Sequence, residues 1–169
     1  NTIVNAFGTR ADTRGTGSNS GLADVIETYS IYGRQSVSSS VSTASQELSR
    51  ILVKFPINSI TSDRNAGTVP ASGSVNFYLK LFNAPHSKAV PRDYKLVVYP
   101  VSQSWQEGTG LDLEGYKDLT HGNPGSNWMS ASNSSAWTTP GGDYFTSNAA
   151  LIYEQTFEKG IENLEIDIT

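Results

Sequence analysis

The sequence contains no cysteine. Disulfide frameworks, thiolate metal centres and cysteine nucleophiles are therefore excluded. Histidine is scarce. His86 and His121 are the only two, so the usual neutral-pH base is confined to two positions. Charge is also sparse, at 17% of residues against about 25% in an average domain. The net charge is -4 and the pI is near 5.1. Nucleic-acid binding normally needs a basic patch or a pI above about 9, so no nucleic-acid partner is expected. No apolar run approaches the roughly 20 residues of a membrane-spanning helix, so no membrane partner is expected either.

Serine, threonine, asparagine and glycine fill the space left by charge, at about two-fifths of the chain. A length of 169 residues is one domain's worth, long enough to hide roughly 70% of the unfolded surface. Extended segments are expected at residues 1–7 (a short edge strand), 22–32, 48–55, 75–82, 94–101, 150–157 and 161–168. The clearest is 75–82, where Val75, Phe77, Leu79 and Leu81 alternate with Asn76, Tyr78 and Lys80. Pro56 and Pro100 limit ladder hydrogen bonding at two strand ends. Residues 8–21, 58–74 and 83–92 carry turn residues and read as loops. The serine-rich run 35–46 reads as a flexible connection, with a partner-contact strap as the alternative. About seven or eight short antiparallel strands with almost no helix imply an all-β chain, a β-sandwich of the jelly-roll kind. Residues 1–169 are expected to form one such domain. The final run, from Ile161 to Thr169, alternates to its last residue without a turn. This predicts a fragment of a longer chain whose C-terminal strand is missing, and an intact mass of 18.2 kDa would refute it.

Residues 102–148 break the strand pattern. An excursion beyond about 15 residues is uncommon in a compact domain unless it is functional, so an ordered segment folded on the body is expected. Residues 127–132 could make one helical turn, and 138–143 form a turn cluster. Trp105, Trp128, Trp137, Tyr116, Tyr144 and Phe145 concentrate here. Flat rings suit the C–H faces of sugars, which makes Trp105, Trp128, Trp137 and Tyr144 the candidate ligand-binding residues. The competing reading is that they pin the excursion, each burying about 150–250 Å². The same stretch holds Glu107, Asp112, Glu114, Asp118 and Asp143. A glycosidase would need two such carboxylates about 5 to 9.5 Å apart. A solvated acidic loop is the plainer reading. Calcium, which takes hard oxygens from irregular backbone, would be the only cofactor, with Asp112 and Glu114 as its candidate ligands. Asp12, Asn19 and Asp24 form a second, weaker set. No G-x-S-x-G elbow or paired-histidine zinc motif occurs, and no catalytic residue is assigned.

The order of these motifs resembles a family. It runs Leu48-Ser49-Arg50-Ile51-Leu52-Val53-Lys54-Phe55, then residues 75–82, then 94–101 with Ser104-Trp105-Gln106-Glu107-Gly108. Asn127-Trp128 follows, then Trp137-Thr138-Thr139-Pro140-Gly141-Gly142-Asp143-Tyr144 and Leu164-Glu165-Ile166-Asp167-Ile168-Thr169. The chain looks like the DNRLRE-type jelly-roll modules of secreted and surface bacterial proteins, often carbohydrate-binding. The variant with this long excursion resembles structural proteins of tailed phages of aquatic bacteria. The resemblance implies a jelly-roll sandwich and no catalytic residues. It also implies that the aspartate-threonine ending leads on to a short helical segment and a final strand.

The expectation that follows is a non-enzymatic virion structural protein: capsid cement or decoration, head fibre or tail accessory. Its partners would be other virion proteins and copies of itself. The alternative is a carbohydrate-binding module of a secreted or cell-surface bacterial protein, with polysaccharide as the partner.

Overall fold

The computed structural model describes residues 1–7, 14–33, 36–37, 40–41, 45–87, 89–111 and 124–169. The described chain is mostly β, with one short α-helix and several small antiparallel sheets. It divides into two compact units. One comprises Asn1–Val53 and Val101–Tyr144, the other Lys54–Pro100 and Phe145–Thr169.

The first unit is built on a four-stranded antiparallel sheet. Its strands are β1 (Thr2–Phe7), β2 (Arg14–Gly15), β3 (Ser30–Gly33) and β6 (Ser45–Ile51), in the order β2-β1-β6-β3. A small pair, β4 (Ser36–Val37) with β5 (Ser40–Val41), lies between them in sequence. The expected edge strand at the start of the chain is instead interior, paired on both sides by β2 and β6. Ile3 and Val4 are fully buried although they point to opposite faces. A strand covered on both faces reads as a continuous apolar run, and so hides its position.

Opposite residues share a face, and register sets Ile3 against Arg50 and Asn5 against Leu48. Ile3, Leu48, Arg50 and Leu52 therefore line one face of the sheet, where the excursion packs. The segment expected as a strand from residue 22 enters the ladder only at Ser30. Before that point hydroxyls replace the ladder. Thr2 Oγ1 accepts from Glu27 N (3.1 Å), and Ser49 Oγ accepts from Tyr29 N (2.7 Å) and donates to Glu27 O (3.1 Å).

In the second unit, β7 (Tyr78–Leu81) pairs with β12 (Leu164–Asp167), and β8 (Tyr94–Val98) with β11 (Tyr153–Phe157). Leu79, Leu164 and Ile166 of the first ladder and Phe157 of the second form one buried cluster, flanked by Tyr94, Leu96 and Val98. The two ladders thus turn their apolar faces to a common core. Tyr94 stacks on Phe157 with ring centroids 4.9 Å apart and planes 4° from parallel. Gln155 joins the ladders. Its side chain donates to Asn163 O (2.8 Å) and accepts from Glu165 N (2.8 Å), as a neighbouring strand's peptide would.

Residues 58–74, expected as a loop, open with helix α1 (Ile57–Asn65). None of its residues is buried, so no apolar periodicity announces it. Its ends carry the signal. Pro56 stands just before it, and Gly67 (φ 78°) follows it. Gly67 N donates to Arg64 O and Thr68 N to Asp63 O, the double bond of a left-handed helix stop.

Candidate functional site

The excursion is held to the first unit's sheet by a set of aromatic, amide and glycine contacts. Trp128 and Trp137 are only 6% and 5% exposed, and share a core with Ile3, Leu52 and Ala131, against which Leu48, Val101 and Trp105 pack. Trp137 is oriented from its polar edge, with Nε1 donating to Asn127 O (2.8 Å). The expected helical turn over 127–132 is absent. Asn127 Oδ1 accepts from Met129 N (2.8 Å) and Ser130 N (2.9 Å). This side-chain turn competes with helix, and the chain continues as hairpin β9 (Ser130–Ser132) with β10 (Ser135–Ala136).

Arg50 reaches from β6 into this region. Its guanidinium carbon lies 4.9 Å from the Trp128 ring centroid and 5.2 Å from that of Tyr144, and Nη1 donates to Gly141 O (2.7 Å). A flat, weakly hydrated cation suits a site with two aromatic rings within reach. Gly141 N donates back to Trp128 O (2.6 Å). The backbone at Gly141 has φ 93°, and a Cβ there would stand 2.7 Å from Arg50 Nη1. Only glycine fits this approach without displacement.

The expected turn at 138–143 is present and is closed by its own carboxylate. Asp143 accepts from Thr138 N and Thr139 N, both at 2.8 Å. These bonds, that from Thr138 foremost, hold its carboxyl below the usual carboxylate range against an opposing loss of hydration. Asp143 is thereby a capping group for the turn that presents Gly141 to Arg50.

A second fastening centres on Asn19, fully buried and bridged to Ile3. Its Nδ2 donates to Pro124 O (3.2 Å), and its Oδ1 accepts from Gly110 N (3.0 Å) and Gly21 N (3.2 Å). A Cβ on Gly21 would overlap the Gly108 backbone, and one on Gly108 would overlap the Asn19 side chain. The absence of side chains at these glycines lets the segments cross at contact distance. Asn19 is therefore engaged as a structural amide.

Of the candidate ligand-binding residues, Trp128 and Trp137 present almost no ring surface to solvent. Trp105 and Tyr144 are half-buried beside them. Asp112 and Glu114, with Tyr116, Asp118 and His121, lie outside the described residues, as does Asp12. Glu107, Asp24 and His86 are exposed. Among the described residues no group of three or more His, Cys, Asp or Glu side chains is placed to hold a metal ion. Arg50, Gly141, Asn127 and Asn19 carry the geometry; the sequence marks Asn19 only as an oxygen donor beside Asp12 and Asp24, and Gly141 only as a turn residue. The usable signal for Arg50 was a cation at an inward position of a strand with an aromatic-rich segment to receive it. Comparison with family models, with curated proteins and with solved structures gives no match for this chain.

Proposed function

We propose that the chain is a non-enzymatic structural subunit of a phage virion, a jelly-roll sandwich in its finer fold, that acts by holding neighbouring protein subunits. The observation that carries this reading is the burial of Trp128 and Trp137. These two rings pack into the body, which favours fastening over a stacking platform. The motif order, which resembles that of phage structural proteins, supports it further. So does the sparse charge, because charged residues are depleted at the cores of protein interfaces. Other virion proteins and further copies of the chain are the partners, with closed symmetry as the ordinary arrangement.

The test has two arms. Antibody raised against the purified chain should decorate particles from the source culture at regular lattice positions. Retention of the chain on polysaccharide columns should be nil. If the particles stay unlabelled, and the parent is retained while folded Trp128→Ala or Trp137→Ala variants are not, the carbohydrate-binding module replaces this reading.

A further inference from the structure

Among the described residues, strand β7 is hydrogen-bonded on one side only. Its partner is β12, and no other described strand pairs with it. Ile168 N donates to Phe77 O (2.8 Å), so Phe77, Leu79 and Leu81 turn their backbone groups toward β12. By alternation, Tyr78, Lys80 and Phe82 direct theirs outward. The side chains at this edge are also exposed. Tyr78 is 50% and Phe82 80% exposed, the latter the highest value among the large apolar residues described.

The sequence around this edge is self-complementary. Tyr78-Leu79-Lys80-Leu81-Phe82 reads nearly alike in both directions about Lys80. An isologous contact requires that property, because a two-fold axis sets each residue against its mirror in the chain. With the axis at Lys80, Tyr78 faces the partner's Phe82 and Leu79 faces the partner's Leu81. Aromatic pairs then lie on the outer face. The leucines extend the apolar layer that Leu79, Leu164 and Ile166 begin. A lysine on an edge ordinarily discourages pairing. Here Glu165 Oε1 lies 2.7 Å from Lys80 Nζ, so the axis brings together two neutralised ion pairs.

We propose that the chain forms a two-fold dimer by antiparallel pairing of β7 with β7 of a second copy, giving a continuous sheet in the order β12-β7-β7-β12. The inference names the surface for the assembling role and rests on that reading in part. Because the chain lacks cysteine, single cysteines report the register directly. Lys80→Cys should cross-link to itself on oxidation, its Cα atoms lying about 5.5 Å apart across the axis, within the disulfide range of about 4.4–6.8 Å. Tyr78→Cys and Phe82→Cys should cross-link when mixed, and neither alone. Phe82→Glu should raise the dimer dissociation constant at least about 100-fold, since each dimer buries the side chain twice. Its melting temperature at dilutions where both proteins are monomeric should stay unchanged.

Self-association of the parent with indiscriminate cross-linking, or with Phe82→Glu unaffected, would overturn the β7 surface and leave the assembling role standing. A parent that sediments as a monomer at every concentration would overturn both. Slow hydrogen exchange at the amides of Tyr78, Lys80 and Phe82 in the monomer would overturn the β7 surface alone, because it would mean another part of the same protein already covers the edge.

Discussion

Replacing Arg50 by methionine keeps an unbranched apolar stem and removes only the guanidinium. The structure specifies what is lost. The bond from Nη1 to Gly141 O is charge-assisted, and such bonds contribute about 1.5–3 kcal/mol. The Trp128 and Tyr144 rings each add about 0.5–1 kcal/mol at a partly exposed site. Arg50 is half-buried, so solvent recovers part of the sum, and a loss of about 2–4 kcal/mol is expected. At this chain length that is a fall in melting temperature of about 5–15 °C. Urea denaturation followed by tryptophan emission measures it, because the Trp128 ring is one of those uncovered. Arg50→Lys should recover less than half the loss. An ammonium lacks the planar fork that lets one group contact both rings and the Gly141 carbonyl. A cycle combining Arg50→Met with Tyr144→Leu should return a coupling of about 0.5–1 kcal/mol. If Arg50→Met unfolds within about 0.5 kcal/mol of the parent, or the coupling is nil, Arg50 does not fasten the excursion.

Three further predictions concern the same fastening. Asp143 titrates below its ordinary 3.8 in the folded chain, so its stabilising share is complete above that value and vanishes as pH falls through the lower folded value. Urea midpoints measured from about pH 6 to pH 2.5 should therefore fall more steeply for the parent than for Asp143→Asn below about pH 4; equal slopes would remove Asp143 from the turn. Gly141→Ala and Gly142→Ala both place a side chain at positive φ, 93° and 108°, but only the first has neighbours within 4 Å. Both should lose about 1 kcal/mol, and Gly141→Ala a further 1–2 kcal/mol from the clash with Arg50 and Trp128; equal losses would say that the close approach is absent. Asn19→Ala should cost about 3–5 kcal/mol in urea denaturation, because it leaves the Pro124 carbonyl and the Gly21 and Gly110 N–H groups without their partner. A loss under about 1 kcal/mol would refute the crossing.

The readable parts of this chain are those where one face is wet and the other dry. In β7 the alternation of Leu79 and Leu81 with Tyr78 and Lys80 matches the observed burial. β12 follows the same rule, with Leu164 and Ile166 in and Glu165 and Asp167 out. β1 broke the rule because both of its faces are covered. Helix α1 broke it because neither of its faces is. Periodicity reports a difference between two faces, and is silent when there is none. Pro56 and Gly67 would have marked that helix, had its ends been weighed above its interior.

The candidate site was legible in composition but not in assignment. A cluster of aromatic side chains has one sequence signature whether it binds a ligand or closes a core. What separates the two is the chemistry of its neighbours. A stacking platform needs rings with a free face and polar groups with spare bonding capacity. Around Trp128 and Trp137 the side chains of Asn127, Asp143 and Arg50 are already matched. Asn127 serves Met129, Ser130 and Trp137, Asp143 serves Thr138 and Thr139, and Arg50 serves Gly141. Each of those bonds joins an amide, carboxylate or guanidinium to a group that would otherwise be left unpaired by the fold itself. In a chain with few charges, such pairings give the excursion one registered position on the sheet. Apolar burial alone would hold it there without fixing where.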